Sequence, residues 1–422
     1  MKPGRFIVVN SAIVVIFVSA RSAAAQTVTQ RGFIEGSAFL FARPAPDDPT
    51  QAVGDMLVRE EVFAKPASWV QFGVGVDVRA NSHDQVDDRW RIDVGDRGTL
   101  RPRLSLRRAT ATIARGWFEL DAGKQFIRWG KTDIVTPTDR FAPRDFLNVV
   151  DNEFLAVTGV RASARISSDS IEVAWVPRFT PSRIPLVDQR WTAVSEPPPP
   201  LTVVDRGAQL PSGSQAGVRW SHVGDLFEYA VSFFDGFNHL PSIDIAASPV
   251  PDVVQFTRVY PRIRMFGGDA AIPTRWFTLK GESAYFRRAE QSPPMQGRSA
   301  DDYVLYVIQL ERQSGEWMLV GGYAGEIVTE RRAPLTFAPD RGMTRALVGR
   351  ASYTIDTNRS AAFEGAVRQN GAGAYARAEY SQARGQHWRA TLAAVAIAGR
   401  DDDFLGQYRR NSHAQLSLRY SY

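Results

Sequence analysis

Nine charged side chains carry the first chemical signal. Arg350, Arg368, Arg377, Arg389 and Arg419 recur toward the C-terminus, each on the polar side of a segment that alternates apolar and polar residues. Asp77, Glu119, Asp121 and Glu172 hold the same kind of position in earlier segments. Guanidinium groups stay charged at any working pH and bind carboxylates or phosphates through a planar fork. A basic arc beside an acidic arc would set up a transverse field across a pore, which orients and screens charged solutes. The same residues could instead brace a wall, Arg377 with Glu379 and Arg368 with Glu364, and the two readings weigh equally. Covalent chemistry has less to work with. Of the five histidines (His83, His222, His239, His387 and His413), His387 and His413 fall on neighbouring segments, but no G-x-S-x-G nucleophile motif accompanies them. No metal-ligand cluster, P-loop or dinucleotide fingerprint occurs, so no cofactor and no metal is expected, and the chain does not read as an enzyme.

Side chains can be sorted this way only by strands. In SWVQFGVGVDV, Val70, Phe72, Val74, Val76 and Val78 share one face, against Gln71 and Asp77. The chain ends on SHAQLSLRYSY, residues 412–422, where Leu416, Leu418, Tyr420 and Tyr422 oppose Gln415, Ser417 and Arg419. A two-residue period is that of a strand with one apolar and one polar side. Helical periodicity is weak throughout. A helix crossing a bilayer wants ~20 apolar residues, and beyond the N-terminus the longest apolar run, LAAVAIAG at 392–399, is far shorter. The chain is expected to be all-β.

The N-terminus reads as an export signal. Lys2 and Arg5 precede the apolar stretch Phe6–Ala20, and Ala23, Ala24 and Ala25 supply small residues for cleavage. Residues 1–25 are thus expected to be removed, leaving 26–422 as a single domain. No cysteine is present, so an exported chain of this length must be held by its fold alone. Loss of Lys2, Arg5 and Arg21 takes the formal charge from +6 to +3, a near balance that speaks against a nucleic-acid partner.

Eighteen strands can be counted, from 31–41 to 412–422, with sixteen to twenty as the range. Short turns such as KPAS, HVGD and QSGE come after the even-numbered strands, FGGDAAIPT being read as a longer turn of this set. Long polar connections come after the odd ones: 42–55, 80–103, 130–153, 180–213, 236–252, 289–300, 329–343 and 399–411. QNGAG, near 370–372, breaks the rule. This alternation predicts an up-and-down transmembrane β-barrel, with short turns at one rim and long loops at the other. Closure is compulsory, because an open edge in lipid strands its backbone polar groups. An arginine facing lipid at mid-membrane costs ~2–4 kcal/mol, so both charged arcs should face the lumen, which in a barrel of this size holds water.

One segment stands apart: GKQFIRWGKTDIVTPTDRFAPRDFLN, residues 123–148. Strict alternation from Phe118 and Leu120 would aim Lys124 and Arg128 into lipid. A bulge at Ala122-Gly123 would turn Lys124, Phe126 and Arg128 inward and Ile127 and Trp129 outward, with Trp129 at the outer interface. The next loop, with Asp133, Asp139, Arg140, Arg144 and Asp145, either enters the lumen as a constriction or pairs with itself outside, the second being the default. The run Gly123, Lys124, Gln125, Arg128, Trp129, Gly130, with TPTDRFAPRDF and EVAWVPRFTPSRIP after it, resembles a family of porin-like outer-membrane barrels with a G-[KR]-Q-x-x-x-W-G strand end. Strand number and arginine-rich walls give a weaker likeness to the alginate-export barrels. The final strand resembles the C-terminal assembly signal of bacterial outer-membrane barrels, with Tyr422 where that pattern more often has Phe. These likenesses imply a passive outer-membrane channel of a Gram-negative bacterium. Its partners would be outer-membrane lipids, the barrel-assembly machinery and small hydrophilic solutes, anions among them. A surface adhesin displaying loop 180–213, or less readily a barrel hydrolase, is the alternative.

Overall fold

In the computed structural model the residues described are 27–46, 48–192, 200–247, 249–288, 302–328, 342–369 and 371–422. The export signal lies outside them. Eighteen strands form the wall: β1 (Thr27–Phe41), β2 (Ala52–Ala67), β3 (Val70–Asn81), β4 (Leu104–Arg115), β5 (Phe118–Gln125) and β6 (Val157–Ile166). They continue with β7 (Asp169–Val176), β8 (Gln215–Val223), β9 (Glu228–Phe237), β10 (Arg262–Pro273), β11 (Thr278–Arg288) and β12 (Tyr303–Ser314). The last six are β13 (Trp317–Val328), β14 (Ala346–Asp356), β15 (Arg359–Arg368), β16 (Gly373–Arg384), β17 (Trp388–Gly399) and β18 (His413–Ser421). Each pairs antiparallel with the next, and β18 returns to β1 from Phe33↔Ser421 to Phe41↔His413, which leaves no open edge. The barrel and its strand number are those expected from the alternating pattern.

The outer face is apolar. Phe72, Val173, Ile308, Leu347, Phe363 and Leu416 stand between 47% and 62% exposed, an arrangement that only a bilayer can cover. At the short-turn rim the outer face carries Trp69, Trp117, Trp276, Trp317 and Trp388, the belt expected at a membrane–water interface. On the terminal strand, Leu416 and Leu418 point outward. The Tyr422 hydroxyl donates to Glu60 at 2.9 Å, tying the C-terminus to the β1–β2 seam.

Three local expectations are corrected. Sequence alternation places the tenth strand at 253–264, with FGGDAAIPT as a turn. Instead β10 runs Arg262–Pro273, and Val253–Val259 belongs to a separate three-stranded sheet with Thr202–Gln209 and Ser242–Ala247. Gly267 and Gly268 hide the alternation of β10, since two adjacent residues without side chains contribute to neither face. The bulge also lies elsewhere. Strand β5 pairs in unbroken register with β4 and β6, and the extra residue sits in β4, where pairing with β3 shifts around Arg107. Gly123 has a φ of 116°, which only glycine adopts readily, while Lys124 and Gln125 after it stay paired.

Beyond β5 the path of the chain differs as well. The chain leaves the wall after Gln125 and enters the lumen, while Ile92–Asp93, from the connection after β3, pairs in parallel with Leu104–Ser105. Ile127 and Trp129 do not face lipid. They are 1% and 4% exposed, packed inside the barrel with Phe141, Phe234, Met265 and Phe286. Trp129 lies edge-on to Phe141 at 5.1 Å, and Phe141 edge-on to Phe234 at 4.9 Å. The inner wall offers Trp129 an apolar stretch to bury against, and the indole N–H finds a partner in Glu172. That apolar stretch is formed by β6, β7 and β9–β12 and cannot be foreseen from β5 alone.

Candidate functional site

The lumen is divided by a strap, residues 126–156, rather than left open above a self-paired outer loop. Its centre is held by one carboxylate. Glu282, on the inner face of β11 and 2% exposed, accepts hydrogen bonds from Lys131 N (2.8 Å) and Thr132 N (2.9 Å) through Oε2, and from Thr138 N and Oγ1 (both 2.8 Å) through Oε1. The Thr132 hydroxyl lies 2.9 Å from Oε2 and 2.6 Å from the Val135 carbonyl, so these two acceptors share one proton. Beside it, Asp133 Oδ2 accepts from Gln309 Nε2 (2.6 Å) and Lys280 Nζ (3.2 Å), and Asp133 N donates to Gln309 Oε1 (2.9 Å). Asp139 turns the strap upon itself by accepting from Trp129 N and Gly130 N at 2.5 and 2.6 Å. The approach is close because glycines stand on the wall at the points of contact. A Cβ at Gly217 would lie 2.7 Å from Trp129, one at Gly267 2.7 Å from Thr138, and one at Gly322 2.9 Å from Ile134.

The far end of the strap crosses to the opposite wall. Arg377 on β16 donates to Asp151 at 2.6 Å and to Glu379 at 3.2 Å, while Arg79 on β3 reaches Glu153 at 2.6 Å. The strap's root is held by a buried chain of alternating charge. Arg101 grips Asp145 with two bonds of 2.9 and 3.0 Å, Arg183 bridges Asp145 (3.1 Å) and Asp96 (2.8 Å), and Lys124 closes the chain on Asp96 at 2.5 Å. Burial works to raise both acids, but Arg101 and Arg183 around Asp145, and Arg183 and Lys124 around Asp96, hold them below the usual carboxylate range. Lys124 thus avoids lipid by burial in this chain of ions. His239, buried between strap and outer loop, has Nδ1 2.6 Å from the Thr180 carbonyl and Nε2 2.9 Å from that of Arg140. Burial pushes its pKa down to about 4, and a neutral ring donates to only one of the two carbonyls.

Opposite the strap's docking wall, arginines alternate with phenylalanines. Phe33 lies between Arg419 (4.1 Å) and Arg59 (5.4 Å), and Phe63 between Arg31 (5.1 Å) and Arg108 (5.9 Å). Phe126 lies between Arg107 (4.8 Å) and Arg108 (5.5 Å), and Phe154 has Arg128 and Arg144 both at 4.1 Å. Cations over ring faces at these distances attract. The acids are engaged: Asp77 by Arg59 (2.7 Å) and Arg79 (3.4 Å), Glu119 and Asp121 by Arg161 (3.1 and 2.9 Å), and Glu172 by the Trp129 indole N–H and by Arg161 at 4.0 Å.

The five arginines of the basic arc have separate fates. Arg377 pins the strap. Arg368 turns to Asp403 at 3.2 Å and to the carbonyls of Gly342 and Thr344, not to Glu364. Glu364 instead takes Arg350 at 3.7 Å and the Tyr375 hydroxyl at 2.9 Å. Arg419 pairs with Glu35 at 2.7 Å, and Arg389 is its register neighbour near the short-turn rim. Several inward arginines keep much of their surface in water: Arg31 68%, Arg350 56%, Arg128 47% and Arg419 41%. His387 and His413 are not brought together. They sit at opposite ends of the β17–β18 pair, His387 Nδ1 against Ser421 O (2.7 Å) and His413 Nδ1 against Asn411 O (2.7 Å).

Sequence reasoning misses Glu282, the Asp96–Arg183 link and the phenylalanine partners. The available signal is a set of inward glycines, Gly217, Gly267 and Gly322, which marks a place where another backbone comes close.

The geometry defines an 18-stranded antiparallel barrel with a strapped, arginine-lined lumen, and solved outer-membrane barrels share that fold. A BenF-like porin from Pseudomonas fluorescens Pf-5 superposes with a TM-score of 0.54 at 7% identity, covering 94% of this chain and 98% of its own. OccAB4 of Acinetobacter baumannii gives 0.52 at 12% identity (94% and 99%), and the outer membrane protein opdK from Pseudomonas aeruginosa 0.51 at 9% (94% and 98%). At such identities the likeness is one of fold. No family model matches the sequence, and no curated protein matches it.

Proposed function

We propose that the protein is a channel of a Gram-negative outer membrane, passing small hydrophilic solutes and favouring anions. The observation that carries this reading is the lumen lining, where Arg31, Arg350 and Arg419 on the wall and Arg128 on the strap remain solvated inside a closed barrel. Fixed cations beside a water-filled path raise the local concentration of anions. Phe33, Phe63 and Phe154 lie under Arg419, Arg31 and Arg128 and help to hold those guanidinium groups in place, while each of the four arginines keeps exposed surface beside its carboxylate partner. The fold shared with porins supports the same reading. The test is liposome swelling with the purified protein. Small sugars and small organic anions should enter, the anions faster, and replacement of Arg31 and Arg128 by Gln should remove the difference. Absence of swelling would overturn the channel reading.

The sheet formed outside the wall by Thr202–Gln209, Ser242–Ala247 and Val253–Val259 favours a second reading, a display barrel. An occluded barrel of that kind would give no swelling. Of the proline-rich stretch 196–200, all but Pro200 falls outside the described residues.

A further inference from the structure

The outer face carries a basic step at its long-loop end. Met265 and Phe286 are buried inside the barrel, so alternation turns Arg264 and Arg287 outward. The two are register partners on β10 and β11, with facing Cβ atoms about 5 Å apart. Like charges directly opposite one another destabilise a sheet unless something compensates them. Compensation from the protein is partial. Asp235, next in the row on β9, is shared between Arg262 (2.7 Å) and Arg264 (3.4 Å). The Asp302 carboxylate accepts from the Tyr285 hydroxyl at 2.6 Å. Arg287 is exposed and forms no ion pair among the described residues.

Depth fixes the surroundings of this step. A tilted strand crosses a bilayer in ~9–11 residues, and the stretch Arg264–Pro273 has that length. Its lower end is at the tryptophan rim, so Arg264 stands at the opposite headgroup level. Just below it Phe266, 51% exposed, packs on Phe233 at 5.1 Å and faces Tyr285 in register. Aromatic residues under a pair of cations match an amphiphile with an acyl part and an anionic head.

We propose that Arg264 and Arg287 dock a phosphate-bearing lipid of the leaflet on the long-loop side, its phosphate between the two guanidinium groups and its chains along Phe266 and Phe233. The site rests on the membrane reading given under the proposed function. Bidentate guanidinium–phosphate bonding gives the specificity, and the phosphate offsets the repulsion across the β10–β11 pair.

The experiment is native mass spectrometry of the full barrel in neutral detergent, titrated with bis-phosphorylated lipid A and, separately, with the same lipid after phosphatase treatment. Folding of each variant is read from heat-dependent electrophoretic mobility. R264Q and R287Q should each weaken lipid retention roughly fivefold, as for one cation at an anionic headgroup surface, and the double variant should bind the two lipids alike. Millimolar inorganic phosphate should not displace the lipid from wild type; displacement would make this a free-anion site and overturn the lipid assignment. Insertion of wild type into planar bilayers is measured in parallel. A barrel that inserts but retains lipid regardless of R264Q/R287Q overturns the site alone, whereas one that does not insert overturns the site together with the membrane reading.

Discussion

Glu282→Gln should release the strap. The carboxylate holds Lys131 N and Thr132 N on one oxygen and Thr138 N and Oγ1 on the other. A glutamine of the same shape keeps one carbonyl acceptor; with its NH₂ group toward Thr138 the hydroxyl can turn to accept, but the Thr138 N–H loses its partner. At least one hydrogen bond to a charged acceptor is lost, worth about 1.5–3 kcal/mol. The lower bound, about 1.5 kcal/mol, shifts a docked–undocked equilibrium roughly 10-fold. The barrel should still form, because the wall is held by its own strand ladders and not by this carboxylate. The one variant should change two observables. Single-channel conductance should rise and become noisy. A cysteine at Ile134, which packs against Gly322 and has no native cysteine to compete with it, should pass from protected to reactive toward an impermeant maleimide. If E282Q leaves both conductance and labelling at wild-type values, Glu282 does not hold the strap.

Two further variants probe the strap's root. Asp145→Asn removes the charge that Arg101 and Arg183 share, leaving buried cations without a full partner, at about 3–5 kcal/mol; the midpoint of urea unfolding should fall accordingly. His239 makes a pH-dependent contribution. Its folded pKa of about 4 lies below the ordinary value of 6.5, so its contribution to stability is complete above pH 6.5 and is lost as pH falls toward 4. The slope in that window is about 1.4 kcal/mol per pH unit, and thermal unfolding of H239Q should lack this slope.

The wall is legible from sequence because lipid on one side and water on the other impose a strict two-residue period. Leu416, Leu418 and Arg419 declare their faces without any partner being known. Strand β10 is misplaced by the same reasoning where Gly267 and Gly268 carry no side chains to sort, and Gly267 is where Thr138 of the strap comes close. The strap itself is not legible. Its position depends on Glu282 and Gln309, which lie 150 and 176 residues beyond the Thr132 and Asp133 groups that they bind. No local period records such a contact. Trp129 escapes sequence reasoning for the same cause, since its apolar surroundings come from β6, β7 and β9 to β12. Arginine sidedness can be read strand by strand, but partners cannot. Arg368 takes Asp403 in a loop over Glu364 on its own strand, because the loop folds over the end of β15.

Planar-bilayer recording under a salt gradient tests the channel claim most directly. The structure predicts discrete conductance steps and a reversal potential displaced toward that of the anion, with the displacement reduced in R31Q/R128Q. A silent membrane with correctly inserted barrel, or a cation-selective current, would contradict it.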